Sequence, residues 1–152
     1  MSMHRFLQAL QSRRKFSARL LLALLPLPFA TKARAQVNPV SEALQKMGLR
    51  PEGVQIELAP LSDTGNAVPF GVTLKAPAGL SLVSFEITAP ENPAPRVIRI
   101  RLGQPGSSYH FATRIRLGTS QDIWVVATLS DGSRIGAHAP TVVTSSACFD
   151  GT

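Results

Sequence analysis

The sequence holds one cysteine, Cys148, together with one tryptophan, one tyrosine and three histidines in 152 residues. A single cysteine cannot close a disulfide within the chain. Its thiol is therefore buried and inert, paired with another chain, or used chemically. The sequence contains no CxxC pair, HExxH helix motif, GxSxG elbow or phosphate-binding glycine loop. His110 and His138 lie far apart, and two separated histidines with one cysteine lack the ligand spacing of a zinc site. His110 alternates away from Tyr109 and Phe111, which places it on a strand surface. The acids Glu42, Glu52, Glu57, Glu86 and Asp122 stand singly, with no local pair suited to acid–base work. These absences predict a non-enzymatic chain with no metal and no cofactor.

Positive charge is abundant overall, with a formal net charge of +7, but it is unevenly placed. Seven of the 16 basic residues (Arg5, Arg13, Arg14, Lys15, Arg19, Lys32 and Arg34) fall within residues 1–35, which contain no acid. Nine bases and nine acids remain, so the rest of the chain is formally neutral and has no electrostatic basis for binding nucleic acid. The N-terminal segment has its own pattern. Ser12-Arg13-Arg14-Lys15-Phe16 fits a twin-arginine export signal. The apolar run from Leu20 to Phe29 is too short to span a bilayer. Ala33-Arg34-Ala35 has the small-x-small form of a signal-peptidase site. The expectation is cleavage before Gln36, a periplasmic mature chain and no membrane attachment afterwards. Residues 1–35 are then the signal peptide, 36–144 the folded domain, and 145–152 a C-terminal arm.

The domain opens with a helix signal. Asn38 can cap a helix with Pro39 at its first position. Val40, Ala43, Leu44 and Met47 recur at helical spacing before Gly48, giving a short amphipathic helix over 39–47. Seven β segments follow: 54–58, 68–76, 80–88, 97–102, 109–117, 122–129 and 134–144. Turn residues separate them at 63–66, 77–79, 90–95, 103–106 and 130–133. Short strands at this spacing predict an all-β fold, an immunoglobulin-like antiparallel sandwich of about seven strands.

Alternation also predicts a hairpin. Pairing Ile100 with Phe111 and Leu102 with Tyr109 puts all four on the core face. It sends the arginines of two Arg-Ile-Arg tripeptides, Arg99, Arg101, Arg114 and Arg116, to one outer face. That face is either a solvated surface or a cationic patch for an anionic partner or small oxyanion.

The last eight residues, Ser145, Ser146, Ala147, Cys148, Phe149, Asp150, Gly151 and Thr152, are mostly small or polar, as in a poorly ordered terminus. Fully extended they span about 26 Å, enough to carry Cys148 away from the body. A thiolate is a soft nucleophile that can hold sulfur as a persulfide or thiosulfonate and release it later. The negative charge of Asp150 disfavours ionisation of the thiol, so activation is expected from a partner's pocket. Alternatively the cysteine packs beside Phe149 as a small apolar group, or the sandwich is a binding module whose cysteine is incidental or joins another chain.

Several stretches resemble the SoxY family, the sulfur-carrying subunit of SoxYZ. They are Thr113-Arg114-Ile115-Arg116-Leu117, Gln121-Asp122, Ala127 and Ser130-Asp131-Gly132-Ser133. The twin-arginine segment and the lone cysteine near the C-terminus fit as well. The resemblance covers most of residues 36–152. It implies an immunoglobulin-like sandwich, a heterodimer with a SoxZ-like subunit, and a swinging arm. On that arm Cys148 would carry covalent sulfur intermediates of thiosulfate oxidation between periplasmic oxidoreductases. The family's arm usually reads Gly-Gly-Cys-Gly-Gly. Here Ser146, Ala147, Phe149 and Asp150 flank the cysteine, closer to a related group whose arm reads Ala-Ala-Cys-Ile-Glu. Glycine lets a backbone thread a narrow channel; bulk and charge beside the thiol imply a different enzyme partner.

Overall fold

A computed structural model describes residues 38–148; residues 1–37, which include the expected signal peptide, and Phe149 to Thr152 lie outside the described residues. The helix α1 spans Pro39–Lys46, one residue shorter than its sequence pattern. The Asn38 side chain accepts the Val40 backbone N–H at 2.9 Å, and Pro39 occupies the first turn, where its missing donor costs nothing. Eight strands follow: β1 Val54–Leu58, β2 Leu61–Ser62, β3 Val68–Lys75, β4 Leu82–Thr88, β5 Arg96–Gly106, β6 Ser108–Ile115, β7 Gln121–Leu129 and β8 Arg134–Val143. They form a three-stranded sheet in the order β1-β3-β6 and a five-stranded sheet in the order β2-β8-β7-β4-β5. The expected all-β sandwich is present, with one strand more than the sequence pattern gave. That extra strand, β2, is two residues long and pairs in parallel with the end of β8, too short to show alternation.

The core lies between the sheets. Val68, Phe70, Val72 and Leu74 enter from β3, Phe85 and Ile87 from β4, and Ile123, Val125, Ala127 and Leu129 from β7, all nearly inaccessible to solvent. Phe85 sits at the centre, with the rings of Tyr109 and Phe111 at 5.7 and 5.6 Å from the opposite sheet. Burial of this apolar surface is the main force holding the sheets together.

The expected β5–β6 hairpin does not form. β5 pairs with β4, setting Ile100 opposite Phe85, while β6 pairs with β3, setting Phe111 opposite Val72. The chain crosses between sheets at Ser107, whose carbonyl accepts the Ala76 N–H at 2.8 Å. Gly103 to Gly106 therefore continue the strand instead of turning. Alternation correctly gave the core-facing side of Ile100, Leu102, Tyr109 and Phe111, all packed against the core. It could not say whether the two strands lie side by side or face each other across the interior, since both arrangements bury the same residues.

The helix covers the outer face of the five-stranded sheet. Leu44, only 7% exposed, lines one cleft with Ser84, Val126 and Thr128 and another with Trp124, Gly136 and His138. Leu49 seats directly on Gly136, where an added Cβ would meet the Leu49 Cδ1 at 2.8 Å.

Candidate functional site

The site is built where β8 runs out into the cysteine tail. Beyond Val143 the chain is fastened to the segment joining β2 and β3. Thr144 donates its N–H to Ser62 O at 3.1 Å and its hydroxyl to Asp63 O at 2.8 Å. Gly65 donates to Ser145 O at 2.6 Å, Ala147 to Leu117 O at 3.0 Å, and Cys148 to the Asn66 side-chain oxygen at 3.3 Å. Ala147 is buried. The loop that receives the tail is itself stiffened: Ser62 Oγ donates to Thr64 O, and Asn66 N to Thr64 Oγ1.

This differs from a free arm beginning at residue 145. Ser145 and Ala147 are bound to the body through their backbones, and at the buried Ala147 the main chain must find such a partner. The Ala147 backbone passes so close to Gly65 that a Cβ added at Gly65 would lie 2.8 Å from Ala147 N. Thr144, Ser145 and Ser146 are exposed, Ala147 is buried, and Cys148 is exposed again with a free thiol. The flanking Phe149, Asp150, Gly151 and Thr152 lie outside the described residues.

Leu117 is held from behind by a buried polar clamp. Gln121 Nε2 donates to Asn92 Oδ1 at 3.0 Å, and Asn92 Nδ2 donates to Arg116 O at 2.8 Å. Asn92 Oδ1 also accepts from Gly118 N at 2.9 Å, and Gln121 Oε1 from Glu91 N at 2.8 Å. Both side chains are buried. They tie the loop after β4 to the loop after β6, on either side of the residue that receives Ala147. Sequence reasoning noted Gln121 only as part of a family pattern and missed Asn92, since nothing in the local sequence links positions 29 apart.

The four arginines of the two Arg-Ile-Arg tripeptides are not brought to one face. Arg99 and Arg101 project from β5 on the outside of the five-stranded sheet. Arg114 lies on the outside of the three-stranded sheet, where its Nη1 donates to Ala67 O at 3.1 Å. Arg116, exposed, follows β6. The patch assumed the β5–β6 hairpin and falls with it. In its place, Arg99 and Arg101 share a cleft with Arg134, which the sequence pattern did not single out.

The histidines have structural settings. His110 is exposed, with Nδ1 3.1 Å from Thr73 Oγ1. His138 stacks on Trp124 with ring centroids 4.4 Å apart, and its Nδ1 lies 3.6 Å from Asp122 Oδ2. Among the described residues, no three His, Cys, Asp or Glu side chains come together as metal ligands would. No helix among them is long and apolar enough to cross a membrane.

The chemistry available at the tail is therefore that of one accessible thiol at the edge of the sandwich, with no base or acid among the described residues hydrogen-bonded to it. Comparison with known proteins bears on what such a thiol does. The model of the family described as "Sulfur oxidation protein SoxY" matches residues 41–148. The structure of the sulfur carrier protein SoxY from Chlorobium limicola f thiosulfatophilum is similar, with 23% identity over 69% of this chain and 96% of that one and a TM-score of 0.55. At that identity the likeness speaks for the fold. A superoxide reductase (neelaredoxin) from Ignicoccus hospitalis matches more loosely, with 14% identity over 72% of this chain and 90% of that one and a TM-score of 0.46, and carries no argument. No curated protein sequence matches this chain. The family match ends on Cys148 itself and spans most of the helix, both sheets and the docked tail: the chain belongs to the SoxY family of sulfur oxidation proteins.

Proposed function

We propose that this chain is a covalent carrier of sulfur compounds, with Cys148 as the attachment point, working in the periplasm after export through the twin-arginine pathway. The observation that carries the reading is the exposed thiol of the chain's single cysteine, placed at the end of the family match. Family membership supports sulfur oxidation as the setting, and the Ser12–Phe16 pattern supports export. A SoxZ-like subunit is the partner the family implies, and a heterodimer the assembly.

The chemistry sets the division of labour. Joining the thiol to the terminal sulfur of a sulfur oxyanion forms an S–S bond and releases one proton and two electrons. A partner oxidoreductase takes those electrons. That partner also supplies the base that takes the thiol proton. The carrier presents sulfur and catalyses nothing. Phe149 and Asp150 replace the flexible flanks usual in the family, so the enzyme that receives this thiol has a wider or differently charged entrance than a channel for glycine-flanked arms.

Replacing Cys148 with Ser in the native host tests the reading. The variant should keep its subunit partner on co-purification and lose sulfur-compound oxidation. If oxidation persists at the wild-type rate, the carrier role is wrong. If partner binding and oxidation fail together, the cysteine serves assembly, as in a binding module.

A further inference from the structure

We propose that the outer face of the five-stranded sheet holds a second site, distinct from Cys148, that binds a free divalent tetrahedral oxyanion between Arg101 and Arg134. The site is one rung of the sheet. Arg101 on β5 is opposite Ser84 on β4, Ser84 is opposite Thr128 on β7, and Thr128 is opposite Arg134 on β8. Adjacent strands are about 4.8 Å apart, so the two hydroxyl side chains sit side by side with a guanidinium arriving from either end. All four residues line the same cleft of about 300 Å³.

The charges in the cleft are unequal. Among the described residues, Glu86 is the only carboxylate lining it. Both of its oxygens are taken, one by Arg96 Nε at 3.2 Å and the other by Arg99 Nε at 2.7 Å. Arg101 and Arg134 join no ion pair among the described residues. The cleft thus holds two arginines without an ion-pair partner among the described residues, at the two ends of a rung that carries two hydroxyls between them. Like charges so placed repel, and an anion between them removes that repulsion. Leu44 and Met47 line the same cleft beside them.

The donor set selects the ligand. Each guanidinium offers a planar fork that matches two oxygens of an oxyanion. Each hydroxyl can donate one more bond. Sulfate, thiosulfate and phosphate have the charge and the divergent oxygens to use both forks at once; chloride has neither. The site stands apart from the thiol. Ser84 is four residues along β4 from Thr88, about 13 Å, and the tail docks beyond the Thr88 end, against the loops tied together by Asn92. Binding here does not require that Cys148 carry sulfur.

The test is a titration of the full chain, isotope-labelled, with sodium sulfate, thiosulfate and phosphate in turn, followed by amide and arginine side-chain NMR. Sodium chloride is adjusted to hold ionic strength constant. The expected result is saturable shifts centred on Ser84, Arg101, Thr128 and Arg134 with at least one of the three anions. The double substitution Arg101→Gln, Arg134→Gln should weaken binding at least about tenfold, since each removes a charge-assisted contact, with the remaining spectrum unchanged. Arg114→Gln, on the other sheet, should leave it unaltered. Non-saturating shifts, shifts spread over all arginines, or equal binding by the double variant would each overturn the site.

Discussion

Gly65 donates its backbone N–H to the carbonyl of Ser145 at 2.6 Å, while its own carbonyl accepts the N–H of Leu117 at 2.8 Å. One glycine thus joins the cysteine tail to the exit of β6. An added Cβ there would lie 2.2 Å from Leu117 O and 2.8 Å from Ala147 N, both backbone atoms that cannot swing aside. One anchor of the cysteine tail is thus set by a residue eighty positions upstream of Ser145.

Gly65→Val should therefore expel the tail while leaving the core intact. The Ala147 amide, which now donates to Leu117 O, should lose its protection in hydrogen exchange. Global stability should fall by about 1–3 kcal/mol. Unchanged protection of Ala147 would mean that the tail is not held through this junction.

The clamp behind Leu117 gives a second test. Gln121→Ala removes the acceptor for Glu91 N and one donor to Asn92 Oδ1. Stranding buried polar groups costs about 1–3 kcal/mol. Denaturant unfolding should show that loss, and exchange at Ala147 should accelerate with it if the clamp supports the tail's seat. A stability change with no effect at Ala147 would confine Gln121 to the sandwich.

Acid dependence follows from Asp131 in the β7–β8 turn. The Ser133 hydroxyl donates to its carboxylate at 2.6 Å and the Ser133 N–H at 2.9 Å, holding the carboxyl below its ordinary range. A lowered folded-state value means that the contribution is complete above the unfolded value and fades as pH falls through the folded one. Asp131→Ala should lower Tm by a degree or so at neutral pH, on the order of an exposed turn contact. The difference should shrink below the usual carboxylate range. A gap that stays constant with acidification would exclude the ionised carboxylate as its cause.

How much of this was legible beforehand depended on how local each signal was. The cap at Asn38, the helix and seven of the strands could be read because their periodicities lie within single segments. The partner of a strand could not. Ile100 and Phe111 advertise their inward faces, and only the packing of Phe85 between Tyr109 and Phe111 shows that they meet across the core. The arginines inherited that ambiguity, and Arg134 joined Arg101 only through a rung of four strands. The tail's composition suggested freedom, yet Ala147 is seated. Its seat needs Gly65 and Leu117, whose closeness to residue 147 no local pattern records. Cys148 was legible from its solitude.

The most direct measurement is intact-protein and peptide mass spectrometry of the chain taken from cells oxidising reduced sulfur compounds. The account predicts a sulfur-containing adduct on Cys148 that a reductant removes and that is absent from Cys148→Ser. A thiol that stays unmodified on every reduced sulfur compound the cells oxidise would contradict it.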